Sequence, residues 1–152
     1  MIGILKNNIT NIDKDYFAIK NLNSLVNTTT TSCLFCNEID SSFILGVHTN
    51  IFHKSYAHSF NGTIITDELE GIEDLINMSY PKSKFLYLYR LDWMYLNTVH
   101  YAMLKRGLLN EHIELIARNE HQAKIIEQVF KKPKYIMPEW NYQTLIEIDQ
   151  NE

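Results

Sequence analysis

Polar side chains with chemical potential stand just after several runs of this 152-residue sequence that read as β-strands. They are Asn37-Glu38, Thr66-Asp67, Arg90 to Asp92, Arg118-Asn119 and Glu139-Trp140. In an open parallel sheet, ligands bind beyond the carboxyl ends of the strands, so these residues form the best candidate cleft. The same loops need polar caps whether or not they bind anything, which is the competing reading. Arg118-Asn119 is the best anion site among them. A neutral Asn cap leaves the free N–H groups of the following helix available, and Arg118 adds positive charge. Glu120, in the same first turn, opposes this. Asp67 followed by Glu68 and Glu70 makes the other helix start a poor anion site. The ligand-binding candidates are therefore Arg118, Asn119 and Arg90.

Other chemistries leave weaker traces. Neither G-x-G-x-x-G nor G-x-x-x-x-G-K-[ST] occurs, so dinucleotide and P-loop readings lose their main support. There is no Asp-x-Asp to hold a divalent ion against a diphosphate, and no Gly-x-Ser-x-Gly elbow for a hydrolase. Cys33-x2-Cys36-x11-His48-x4-His53 comes close to a zinc-finger spacing, with His58 a spare ligand. Leu34 and Phe35 between the cysteines favour a buried strand instead. His48, His53 and His58 recur every five residues, which keeps to neither a helix face nor a strand face. No metal and no cofactor are expected. Tyr80, Phe85, Tyr87, Tyr89, Trp93 and Tyr95 could stack on a base or sugar, but large aromatics more often fill a core or an interface.

The elements that must position these residues alternate. Gly62–Thr66 is a short β-branched run, and Asp67-Glu68-Leu69-Glu70 has the form of a capping box. Leu69, Ile72, Leu75 and Ile76 keep helical spacing behind it, with Pro81 past the end. Lys84–Leu91 reads as a strand covered on both faces. A helix follows from about Asp92 to Arg106, with Gly107 as its C-terminal cap. His112–Ala117 reads as a strand, and Asn119-x-x-Gln122 opens another helix carrying Ala123, Ile126, Val129 and Phe130 on one face. Lys131, Lys132 and Lys134 sit at its C-terminal end, where the helix dipole favours cations. Pro133 stops it, and Tyr135-Ile136-Met137 is a short strand. Earlier in the chain, Tyr16–Val26 reads as a helix, Asn27–Ser32 as a loop, and Ser32–Asn37 and Phe43–His48 as strands. This alternation predicts an α/β fold. The expectation is a single Rossmann-like domain over residues 1–152, with a mostly parallel sheet of about 4–6 strands flanked by helices.

Composition narrows the partners. The sequence is 45% hydrophobic and 21% charged, the balance of a folded domain. Its formal net charge of −4 argues against a general nucleic-acid binder. The apolar run at Met1–Leu5 ends at Lys6, so no leader is expected. The longest greasy stretch, Phe85–Tyr89, is far short of the ~20 residues of a membrane helix. Two cysteines three positions apart make no disulfide framework, and a cytoplasmic location follows as the default. A bias toward Asn, Ile, Lys and Tyr suits an AT-rich, viral genome, in which case the cytoplasm is the host's.

Three segments carry a family resemblance: Phe60–Asp67, Lys84–Trp93 and Leu115–His121. Together they resemble the N-terminal Rossmann-like half of GT-B glycosyltransferases, especially short glycosyltransferase-like proteins of T4-like marine phages. The resemblance spans roughly residues 33–141. Arg90 stands where the family pattern has an acidic residue, with Asp92 shortly after it. In that family the active site lies between two halves, and the second holds most of the nucleotide-sugar. The resemblance implies a GT-B-like domain without a complete active site, acting as an assembly or host-interaction module. Its alternative is a subunit of a metal-independent glycosyltransferase, using a nucleotide-sugar once a second domain, a second copy or another chain completes the site. In that case Asp92 or His121 would be the base and Arg118 the diphosphate partner.

Overall fold

The computed structural model describes residues 1–91 and 97–152. Nine strands and five α-helices follow one another among the described residues: β1 (Ile2–Leu5), β2 (Asn8–Ile9), α1 (Asp13–Leu25), β3 (Ser32–Cys36), β4 (Glu38–Ile39), β5 (Asn50–His53), β6 (Thr63–Thr66), α2 (Glu70–Asn77), β7 (Ser83–Leu88), α3 (Thr98–Leu108), β8 (Glu114–Ala117), α4 (Glu120–Val129), β9 (Tyr135–Ile136) and α5 (Tyr142–Asn151). Seven strands form one sheet in the order β5-β3-β1-β6-β7-β8-β9, and every neighbouring pair is parallel. The two-residue strands β2 and β4 pair separately. The fold class is thus α/β and Rossmann-like, with more strands than the four to six expected.

Alternation along the strands builds two apolar layers. Ile2, Ile4, Leu34, Ile65, Phe85, Tyr87 and Ile116 face one side, where α1 and α5 supply Ile19, Leu22, Leu145 and Ile148. Leu5, Phe35, Ile64, Leu86 and Leu115 face the other, against Ile72 and Leu75 of α2, Leu104 and Leu108 of α3, and Ile126 of α4. Both faces of a parallel sheet are covered in this way because its crossovers are helical.

Several local expectations are corrected. Asp67 does not cap α2, which begins at Glu70 with no side-chain cap; Asp67 is drawn instead to a buried lysine. Gly107 lies within α3 and ends nothing. A Cβ there would come within 2.6 Å of Ile72 Cγ2, so glycine lets α2 and α3 approach closely. Phe43–His48 is not a strand. Phe43, Leu45 and Val47 do turn inward, but backbone groups of the stretch bond to Asn side chains: the His48 N–H donates to Asn23 Oδ1 at 2.8 Å, and Asn23 Nδ2 donates to the Gly46 carbonyl at 2.7 Å. The aromatic strand puts Phe85, Tyr87 and Tyr89 in the core, while Tyr80 is exposed. Trp93 and Tyr95 lie outside the described residues.

Candidate functional site

The strand order runs outward in both directions from β1 and β6, which makes the gap beyond their carboxyl ends the topological switch point of the sheet. A cleft of about 560 Å³ opens there, lined on its polar side by Asn7, Thr10, Lys14, Asp15, Asp67, Glu68 and Arg90. Its other wall is apolar and aromatic, from Leu69, Leu86, Leu88, Tyr87 and Tyr89.

Beneath the cleft lies a buried charge cluster. Lys6, the first residue after β1, is fully buried, and its Nζ donates to Asp15 Oδ1 at 2.8 Å and Asp67 Oδ1 at 2.6 Å. Burial alone would lower the Lys6 pKa, but Asp67 and Asp15 outweigh it and hold the ammonium above its ordinary range. Asp15 Oδ2 accepts from the Thr10 N–H at 2.9 Å and the Thr10 hydroxyl at 3.0 Å. Lys14 Nζ stands 3.9 Å from Asp67 Oδ1. The second Asp67 oxygen is buried and has no hydrogen-bond partner among the described residues. Next to it, Glu68 accepts a hydrogen bond from the Asn7 N–H. Burial pushes the Glu68 carboxyl above its ordinary range, against the pull of that N–H and of Lys6. A carboxyl raised by desolvation at the mouth of a cleft has the character of a proton-transfer group.

A second polar cluster lies further along the sheet, at the ends of β8 and β9. Arg118 ion-pairs with Glu139, and its guanidinium sits 4.5 Å from the centroid of the Tyr89 ring. The Tyr89 hydroxyl also donates to Glu139. Desolvation, then the Glu139 carboxylate, push the Tyr89 hydroxyl far up, so it stays protonated and donates. Glu139 and Trp140 both have left-handed backbone, at φ 47° and 58°. Two successive non-glycine residues in that region cost on the order of 1–3 kcal/mol each. Trp140, fully buried with its ring 4.9 Å from that of Tyr87, anchors the turn that delivers Glu139 to Arg118.

Of the candidates read from the sequence, Arg90 is placed in the cleft. Arg118 lies outside the lining, with its charge committed to Glu139. The Asn119 side chain is used as the cap of α4, accepting from the Gln122 N–H at 2.9 Å. His121 is exposed in the first turn of α4, away from the cleft lining. Asp92 falls outside the described residues. Cys33 and Cys36 point to opposite faces of the sheet and pack in different apolar layers, so they cannot converge on one ion. Burial pushes the Cys33 thiol up to about 12, as for a packing residue. Among the described residues, no three or more His, Cys, Asp or Glu side chains gather as a metal site. No described helix is long and apolar enough to cross a membrane.

Sequence reasoning missed Lys6 and Asp15; it set Asp67 at a strand end of the candidate cleft, where it lies, but also read it as a helix cap, which it is not. The available signal was Lys6 itself, a charge set directly behind the apolar run Ile2–Leu5. No family model matches the chain, and no curated protein or solved structure is significantly similar to it.

Proposed function

We propose that this domain is one GT-B-like half that keeps a ligand cleft but not, by itself, a complete transfer site, and that it works as an assembly or host-interaction module. The observation that carries this reading is the state of Arg118. A diphosphate needs unspent cations and free N–H groups. Arg118 is neutralised by Glu139 and stacked on Tyr89, and the Asn119 side chain is taken up in capping. In the cleft itself, Asp15, Asp67, Glu68 and Glu70 outnumber Lys14 and Arg90, and they oppose an anionic donor.

A second reading, a subunit of a metal-independent glycosyltransferase, draws on the buried Lys6–Asp15–Asp67 cluster beneath a formed cleft. A fold with no remaining ligand gains little from burying two carboxylates on one ammonium, since apolar replacements are often as stable. On this reading a second half, from the same or another chain, would hold a nucleotide-sugar, and Asp92 or His121 would serve as the base.

A thermal-shift screen against nucleotide-sugars and nucleoside diphosphates separates the two. A ligand at 100 times its Kd stabilises by about 2.7 kcal/mol, a shift of roughly 5–10 °C for a domain of this size. The module reading expects no such shift, and unchanged partner binding in Arg118→Ala and His121→Ala. A shift with one nucleotide-sugar that Arg118→Ala abolishes would overturn it and establish the transferase reading.

A further inference from the structure

The buried cluster under the cleft is unevenly satisfied among the described residues. Both carboxylate oxygens of Asp15 have donors: Lys6 Nζ on Oδ1, and the Thr10 N–H and hydroxyl on Oδ2. Asp67 gives Oδ1 to Lys6 Nζ, while its Oδ2 is buried and accepts from none of the described residues. The Asp67 side chain has no exposed surface, so bulk water does not serve that oxygen. A buried acceptor left open loses its hydration with nothing in return, and a charged one loses the most. Asp67 is also part of the cleft lining, so this open acceptor stands in a wall that a ligand meets.

The rest of the lining selects the donor. Its carboxylates outnumber Lys14 and Arg90, so an anion is repelled and a cation drawn in. A neutral hydroxyl would fill the hydrogen bond and leave the excess charge, whereas an ammonium answers both. Lys14 Nζ, 3.9 Å from Asp67 Oδ1, is near enough for an ion pair and too far for a hydrogen bond. Its side chain is 25% exposed and long, so it can swing aside. Leu69, Leu88 and Tyr89 give the same cleft an apolar flank. We infer that the cleft receives a primary ammonium on an apolar stem, the ammonium donating to Asp67 Oδ2 and the stem lying along Leu69, Leu88 and Tyr89. The inference rests on the reading of the cleft given above, as a ligand site that refuses an anionic donor. A small arylalkyl amine and a lysine side chain of a partner protein share this chemistry.

Titrations of the full isotope-labelled chain, followed by amide chemical shifts at neutral pH, test this with three probes of one stem: phenethylamine, 2-phenylethanol and phenylacetate. Phenethylamine should move the amides of Asn7, Asp67 and Glu68 to saturation. The alcohol should bind about tenfold more weakly, the scale of losing a desolvated charge pair, and phenylacetate should leave those amides in place. Nα-acetyl-lysine methylamide, run alongside, separates the two sources: tighter binding than phenethylamine marks a partner's lysine, weaker binding a free arylalkyl amine. Lys14→Met removes the ammonium that competes for Asp67 and should tighten the amines several-fold. Glu68→Gln keeps the side-chain shape without the charge and should weaken them by a similar factor. Asp67→Asn alters the open oxygen's own group but also takes a partner from Lys6, so the other two variants carry the test should it fail to fold. No binding by either amine, equal binding of the three probes, shifts confined to amides outside the cleft, or an affinity unmoved by both Lys14→Met and Glu68→Gln would overturn the inference. A nucleotide-sugar bound through Arg118 would instead defeat the reading of the cleft it rests on, a separate result that these amine titrations do not produce.

Discussion

Lys6 sits where an ammonium can be tolerated only in company. With Asp15 and Asp67 both buried against it, removing the cation leaves two uncompensated carboxylates. Breaking a buried ion pair from one side costs about 3–5 kcal/mol. Lys6→Met should therefore lower the urea unfolding free energy by that amount, whereas Lys14→Met, which removes a partly exposed ammonium 3.9 Å from Asp67, should cost well under half as much. The pH dependence of the Lys6 contribution has a definite sign. A lysine held above its ordinary 10.5 in the fold gives stability that is present below that value and lost as pH rises through the folded pKa. Stability that falls only in strong base, and does not fall in Lys6→Met, is the expected outcome. Glu68 shows the same sign at acid pH. Its folded pKa lies above the ordinary 4.5, so the fold is favoured while the carboxyl is protonated and loses that advantage as pH rises through the folded value. Glu68→Gln keeps an oxygen for the Asn7 N–H and carries no charge. It should raise Tm at pH 7, and the gain should vanish near pH 4, as read by thermal melts across that range.

At the level of elements, legibility followed where the physics was local. The apolar strand around Phe85–Leu88 and the strand Glu114–Ala117 were visible because both faces of a parallel strand are buried. The start of α4 was visible because Asn119 and Gln122 cap it through contacts within one turn. Five elements escaped notice: β1, β2, β4, β5 and α5. β1 is four residues followed by a lysine, and its pairing sets Ile2 against Ser32 of β3 and Thr63 of β6, residues far from it in the chain. α5 is largely polar, with Leu145 and Ile148 as its buried residues. The cleft was legible only as a place. Its cluster joins Lys6 to Asp67 across 61 positions, a contact that exists only once β1 and β6 are neighbours. Gly107 shows how packing overrides a local signal. As an exposed helix residue it would be improved by alanine by roughly 0.5–1 kcal/mol. Against Ile72 the added methyl has no room, and overpacking costs about 1–3 kcal/mol. Gly107→Ala should destabilise, and in a double-mutant cycle with Ile72→Ala the double variant should lose less than the sum of the two single losses, as urea titrations would read.

For the molecule as a whole, the sheet is the wall that two apolar layers share, and β1 is one of its interior strands, between β3 and β6. Ile4 faces the layer under α1 and α5, and Leu5 faces the layer under α2, α3 and α4, both fully buried. If each layer held together alone, weakening one would leave the other folded. The connectivity argues otherwise: β1, β3, β6, β7 and β8 each send alternate residues to both sides, so neither layer can be lost without its sheet. Ile4→Ala and Leu5→Ala should each cost about 2–5 kcal/mol. Each should shift one transition, with far-UV and near-UV signals moving together and the denaturant slope unchanged. Separate transitions in either variant would mean that the two faces of the sheet are independent units. The buried Lys6 would then answer to one of them. A single transition makes the cleft, which draws Lys6 and Asp67 from the strand ends and Asp15 from α1, as stable as the whole domain.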